Sequence, residues 1–243
     1  MIATMIARYL ASIIIGYMLG SIPWGLILAK KMARVDVREW GSGKVGATNV
    51  LRSAGRKVAI MSGLLDVLKG AAAVLLAGLL VGKSYVAIGS FGFGPLLAQV
   101  LAGLAAVAGH NWSVFLGFHG GSGVATFFGG WFALFPMVAL FGGEIVVLGA
   151  ASTLFVSLGS IAGAVGTYAI VLPLTIVSGL PFEYLLYALV GTGMIIYTHR
   201  GNIHRLLAGK ERKLGEKADR SIPASEQETV ASTADAGVSR KES

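Results

Sequence analysis

The chain of 243 residues contains no cysteine. Disulfides, thiolate-bound zinc, iron–sulfur clusters and a thiol nucleophile are therefore excluded. Charge is also scarce. Asp, Glu, Lys and Arg make up 13% of the chain, against about 25% in an ordinary soluble domain. That shortage excludes a water-soluble globule. Disorder over most of the length is excluded as well, because 55% of the residues are hydrophobic and disordered chains need low hydrophobicity. Two catalytic signatures are missing. None of the four histidines has Asp five residues on, so the H-x-x-x-x-D pair of many soluble-donor acyltransferases is absent. No G-x-S-x-G elbow occurs, which weakens a Ser–His–Asp triad. With so few histidines and carboxylates, no metal site is expected.

What is present is apolar and small. Mean hydropathy is +0.74, and the 35 glycines are about twice the usual ~7%. Small residues let membrane helices approach closely where no hydrophobic effect drives them together. The composition predicts a polytopic, all-α integral membrane protein. Uncharged stretches fall at 9–29, 84–143, 145–182 and 184–199, and another at 58–82 is interrupted only by Asp66 and Lys69. As one helix, 145–182 would run about 57 Å at ~1.5 Å per residue, too long for a core of about 30 Å. Ser157-Leu158-Gly159-Ser160 is the expected turn within it.

Charge placement sets the count. Eight Lys/Arg lie in 30–57 and seven in 200–220, with only Lys69 and Lys83 between 58 and 199. The positive-inside rule puts both basic clusters in the cytoplasm, so an even number of crossings separates them. Seven transmembrane helices follow, at about 5–29, 58–81, 91–109, 123–142, 144–159, 161–180 and 182–199, with the N-terminus outside and the C-terminus cytoplasmic. Residues 1–213 form one membrane domain. Residues 214–243, polar and without apolar periodicity, are expected as a disordered cytoplasmic tail. Glu144 and Glu183 fall at expected external span ends, where water would hydrate them.

Three segments on one face could carry chemistry. Trp40-Gly41-Ser42-Gly43-Lys44-Val45-Gly46-Ala47-Thr48-Asn49-Val50-Leu51-Arg52 combines tight-turning glycines with hydroxyl, amide and cationic donors, suited to an anion. It is not a Walker A loop, since Arg38 and Val45 stand where Gly and Ser/Thr are needed. A basic surface loop against anionic lipid heads reads equally well. The second segment runs from Gly109-His110-Asn111 to His119-Gly120-Gly121-Ser122-Gly123 and into an apolar run. It is either a phosphate-binding helix start or a plain Gly-rich hairpin. The third, from His199 through Asn202 to Glu211, reads on charge alone as a snorkelling basic cap, yet His199 and Asn202 share a helical face. Asp66 and Lys69, at i and i+3 inside a span, read as a structural ion pair or, less simply, as part of an ion path.

Together these segments resemble the bacterial acyl-phosphate-dependent glycerol-3-phosphate acyltransferases. The resemblance is carried by Gly20-Ser21-Ile22-Pro23, GSGKVGATNVLR from Gly41, LLDVLKG from Leu64, GHNWSVFLGFHGGSGVAT from Gly109 and HRGNIHRLLAGKE from His199. It implies a seven-helix enzyme of the bacterial plasma (inner) membrane with its active site at the cytoplasmic face. The implied reaction moves a fatty acyl group from acyl-phosphate to the 1-hydroxyl of sn-glycerol 3-phosphate, the first step of phospholipid synthesis. Lysophosphatidate and phosphate are the products. No cofactor or nucleic acid is implied, and the partners are the two substrates and membrane lipids. By position, the resemblance gives catalytic roles to Ser42, Arg52, His199 and Asn202. Substrate phosphates fall to Lys44, Thr48, Asn49, His119, Gly120, Gly121, Ser122 and Gly123, and support to Asp66, Lys69, His110, Asn111 and Glu211. This sequence departs from the pattern twice. The family's F-K-G-G-K-G reads Phe118-His119-Gly120-Gly121-Ser122-Gly123 here, so Ser122 replaces a phosphate-binding lysine. Lys44 replaces the usual Asn and is expected to restore part of that charge. A divergent homologue with an altered substrate, an anion transporter and a structural lipid-binding protein are the rival readings.

Overall fold

Proline and glycine decide where the helices stop. The computed structural model describes residues 2–88 and 91–220. Helix α1 (Ile2–Ser21) ends before Ile22-Pro23, and the short α2 (Trp24–Leu28) continues into one π turn, Ala29–Ala33. Pro23 lacks an N–H and keeps its predecessor out of the helical region, so the span expected over 5–29 is broken. The freed carbonyls find partners: Ser113 Oγ donates to Ser21 O at 2.6 Å and Lys69 Nζ to Ile22 O at 2.9 Å. The short α3 (Ala47–Ala54) leads through Gly55, at φ +89°, into α4 (Arg56–Val81). A small antiparallel hairpin, β1 (Val86–Ile88) and β2 (Phe91–Phe93), precedes α5 (Pro95–Asn111). The span expected from 91 thus starts at Pro95, since 91–93 pair as a strand.

The remaining helices are α6 (Val124–Leu134), α7 (Pro136–Thr153), α8 (Val156–Ser178), α9 (Phe182–Thr198) and α10 (Arg200–Leu207). Here two expected breaks move. Phe135 is extended and Pro136 opens α7, so Gly142 and Gly143 are helical rather than a turn. The next reversal is at Leu154, which is left-handed with φ 64°, and Phe155. Ser157 to Ser160 lie inside α8. Gly159, expected to turn the chain, instead lets α7 and α8 touch, as does Gly163. A Cβ on Gly159 would meet Val146 O at 2.5 Å, and one on Gly163 would collide with the Val146 side chain. The α7 register also moves Glu144 from an expected external end to mid-helix, where it is exposed between the exposed Phe141 and Val147.

Among the described residues, four helical segments are long and apolar enough to cross a membrane: Ile2–Ala33, Arg56–Val81, Pro136–Thr153 and Val156–Ser178. Val124–Leu134 and Phe182–Thr198 are shorter apolar helices. The aromatic core joins α6 to α9. The Phe127 and Tyr187 rings stack at 5.3 Å, Trp131 meets Tyr187 edge-on at 5.1 Å, and Tyr187 Oη donates to Phe127 O at 3.0 Å. Asp66 and Lys69 are buried and paired at 2.9 Å, with His110 Nδ1 3.4 Å from the same carboxylate oxygen. This cluster ties α4 to α5 and to the α1–α2 break. Residues 214–220, at the start of the expected tail, lie against the loop around Trp40 through a β-bridge, Trp40 to Arg220, and the Gly41 N to Asp219 O hydrogen bond. Residues 221–243 lie outside the described residues.

Candidate active site

The loop before α3 is organised by one buried amide. Asn49 Nδ2 donates to the carbonyls of Val37 (2.9 Å), Trp40 (3.0 Å) and Lys44 (2.9 Å), and its Oδ1 accepts from Ser42 N at 3.2 Å. The turn needs Gly41 and Gly43, both at positive φ, where a side chain would be strained. A second clamp precedes it. Asp36 takes Arg38 Nη2 at 2.7 Å and Lys30 Nζ at 2.9 Å, and the Arg38 hydrogen bond holds the Asp36 carboxyl well below the usual carboxylate range. Asn49 therefore spends its polar atoms on the loop itself.

This loop, α3, the N-terminal half of α6, the facing parts of α7 and α8, and α10 enclose one cavity of 930 Å³. Its lining is mixed. Ser42, Lys44, Thr48, Asn49, Arg52, Ser122, His199, Asn202 and Arg205 are polar, and Val67, Val124, Ala125, Phe128, Val146 and Val156 are apolar. Lys44 Nζ donates to Thr198 O at 2.6 Å, and Thr198 Oγ1 donates to Ser122 O at 3.2 Å. The two departures from the family pattern thus meet at one residue. Burial, then the cations Arg200 and Arg205, push the Lys44 ammonium below the usual lysine range. Burial likewise lowers Arg52. His199 caps the end of α9, with Nδ1 2.8 Å from Ile195 O. A carbonyl only accepts, so Nδ1 carries the hydrogen and Nε2 presents a lone pair.

Glu211 closes the third segment. Its Oε1 accepts from Asn202 Nδ2 at 2.7 Å and from Ser157 Oγ at 2.9 Å, while Oε2 takes Arg205 Nε at 2.9 Å. Glu211, Asp66 and His110 also border the cavity. The Gly-rich loop before α6 is placed differently. Ser122 faces the cavity, but Gly120, Gly121, Gly123 and His119 are not among its lining residues. Gly120 and Gly121 pack on His110, where Cβ atoms would collide, and Gly121 N donates to His110 O at 2.9 Å. Gly123, at φ +79°, sits against Asn111 Oδ1. His119 is exposed, its Nδ1 2.7 Å from Gly117 O. Lys69 is held in the buried ion pair. Thr198 and, in the apolar lining, Phe128, Val146 and Val156 carry no motif signal, because only the packing of α6, α7, α8 and α9 on their neighbours brings them in. Among the described residues no three His, Cys, Asp or Glu converge as a metal site.

The family model described as glycerol-3-phosphate acyltransferase matches residues 10–209. The chain belongs to the glycerol-3-phosphate acyltransferase family. It is 56% identical over 214 residues to "Glycerol-3-phosphate acyltransferase 3" of Dehalococcoides mccartyi (strain CBDB1), covering 88% of this chain and 99% of that one. A glycerol-3-phosphate acyltransferase of Clostridioides difficile (strain 630) is 42% identical over 214 residues, with 88% and 99% covered. This family member also resembles the crystal structure of PlsY (YgiH), an integral membrane glycerol 3-phosphate acyltransferase. For its glycerol 3-phosphate form the TM-score is 0.73 at 39% identity, covering 85% of this chain and 96% of that one. For its lysophosphatidic acid form the TM-score is 0.72 at 38% identity, with 85% and 95% covered. This acyltransferase-family chain is therefore a multi-pass membrane protein.

Proposed function

We propose that this chain transfers a fatty acyl group from acyl-phosphate to the 1-hydroxyl of sn-glycerol 3-phosphate, at the cytoplasmic face of the bacterial plasma membrane. The observation that carries the reading is the mixed lining of the cavity. Cationic and hydroxyl side chains share one space with apolar ones, which fits a donor with an anionic head and a fatty tail. The seven apolar segments α1, α4, α5, α6, α7, α8 and α9 then cross the membrane, with the loop around Lys44, the Ser122 loop and α10 on the inside. This reading is supported by the placement of the basic residues.

In this reading Arg52, Lys44 and the N–H groups at the start of α3 hold the phosphates, and Ser42 and Asn202 hydrogen-bond the substrates. The glycerol hydroxyl oxygen attacks the acyl carbonyl carbon. The carbon–oxygen bond to phosphate breaks, phosphate leaves with the bonding electrons, and the hydroxyl proton passes to a phosphate oxygen or to His199 Nε2. Acyl-phosphate is already activated, so orientation and charge stabilisation drive the step without a covalent acyl-enzyme. Val124, Phe128 and Val146 receive the tail. Gly120, Gly121 and Gly123 act through His110 and Asn111 by shaping the loop that presents Ser122. The test is to incubate purified protein with palmitoyl phosphate and glycerol 3-phosphate and to assay lysophosphatidate and released phosphate. Both are expected in equal amounts, and a folded sample giving neither would overturn the reading.

A further inference from the structure

The family match ends at residue 209, yet the chain remains engaged with the site for eleven residues more. We propose that residues 210–220 form a strap that orients the Arg52 guanidinium to receive the phosphate of glycerol 3-phosphate. The proposal rests on the substrate reading above and adds an element outside the matched span.

The strap is anchored at both ends. Glu211, clasped by Asn202, Ser157 and Arg205, fixes its start. Leu214 N donates to Leu154 O at 2.6 Å, pinning it to the α7–α8 turn. At the far end Gly41 N donates to Asp219 O at 3.0 Å, Arg220 bridges Trp40, and Arg220 Nη2 reaches Glu39 Oε2 at 3.2 Å. Between the anchors it grips Arg52 twice. Arg52 Nη2 donates to the carbonyls of Arg212 (3.1 Å) and Lys213 (3.2 Å), and Ala218 N donates to Arg52 O at 3.3 Å.

The grip leaves the Nε and Nη1 donors unspent. Arg52 Nε is buried without a hydrogen-bond partner, although Arg52 and Arg212 both line the cavity. A buried N–H without an acceptor is costly, and arginine's rigid fork matches phosphate oxygens. With Nη2 held by the strap, the Nε–H and the Nη1 N–H groups are the donors left for an anion. Ordering this flexible side chain before substrate arrives removes that cost from binding. Arg52 and Arg212 border the cavity together with Ser42 and Asn202, and the separate KM values for glycerol 3-phosphate and acyl-phosphate distinguish which substrate phosphate Arg52 receives. Ala218 is buried with its methyl 3.1 Å from where a Cβ on Gly41 would stand, so a large side chain at 218 has no room.

The test compares the full chain with a chain ended after Glu211, which removes the carbonyls of Arg212 and Lys213, and with Ala218→Trp, each purified and checked for folding. Calorimetric affinity for glycerol 3-phosphate is measured, together with KM and kcat for acyl transfer and hydrogen exchange at the Gly41 and Ala218 amides. A chain ended after Arg220 keeps every strap contact and is the matched control. Both amides are expected to be protected in the full chain. Losing the strap should weaken binding and raise KM for glycerol 3-phosphate about tenfold, with kcat within about twofold and KM for acyl-phosphate unchanged. Unprotected amides in the full chain, or equal affinity with and without the strap, would overturn the proposal. A full chain that binds glycerol 3-phosphate but makes no product would sink the catalytic reading and leave the strap standing on its affinity shift.

Discussion

At the scale of single residues, Lys44 concentrates the chemistry that distinguishes this chain. Its ammonium is tied to Thr198 O, whose residue also bonds Ser122. Losing a charge-assisted hydrogen bond of about 1.5–3 kcal/mol lowers binding or rate roughly 10- to 150-fold. Lys44→Asn is expected to lower kcat/KM by that factor, and Ser122→Lys in the same background to restore part of it. Unchanged activity in Lys44→Asn would remove Lys44 from the site. The pH dependence follows from its surroundings. Burial and the neighbouring Arg200 and Arg205 lower its pKa, so the charge is present below that value and disappears as pH rises through it. The alkaline decline in kcat/KM should therefore begin below the ~10.4 of a free lysine. In Lys44→Arg it should move to higher pH, which a kcat/KM profile to about pH 10 will show. Asp66 and Lys69 were legible as a pair from their spacing alone. The attachment of Lys69 to Ile22 O was not, because it depends on the break at Pro23. Removing one partner of a buried pair costs about 3–5 kcal/mol. Lys69→Met should lower thermal stability in detergent far more than the double variant Asp66→Leu/Lys69→Met.

At the scale of elements, the long apolar helices were legible but their ends, the strand at Phe91–Phe93 and the short α3 were not. Charge-free runs report burial in lipid or core, and they do so without marking where a helix stops. Gly143 and the Ser157–Ser160 segment looked like breaks in α7 and α8, whereas Pro136 and the left-handed Leu154 are the real ones. A glycine in a membrane helix serves contact as readily as it serves turning, and only the facing helix distinguishes the two. That distinction is measurable. Gly159→Ala puts a methyl against Val146 O and Ala150 N, while Gly143→Ala meets nothing within 4 Å. Overpacking costs about 1–3 kcal/mol, so the first variant should lower the melting temperature in detergent and the second should leave it nearly unchanged. Equal effects would mean α7 and α8 do not meet at Gly159.

At the scale of the whole molecule, the absence of cysteine becomes an asset. Single cysteines can report which side of the membrane each loop faces. A thiol reagent that does not cross membranes should label Ser84→Cys in intact cells, and Lys57→Cys only after permeabilisation. Labelling of both in intact cells would break the orientation drawn from the basic clusters.

The sequence by itself determined the class of the molecule, its family, and the three polar segments that gather at one end. Those properties follow from composition and local spacing, which are additive along the chain. The tertiary structure alone decided which residues of those segments share the cavity. It turned Gly120, Gly121 and Gly123 toward His110 and Asn111, spent Asn49 on its own loop, and brought Thr198, Arg205 and the residue 210–220 strap to the site. Such assignments depend on contacts between residues up to 181 apart in sequence, as in Arg220 with Glu39, and a local pattern carries no information about which distant backbone will occupy its far side.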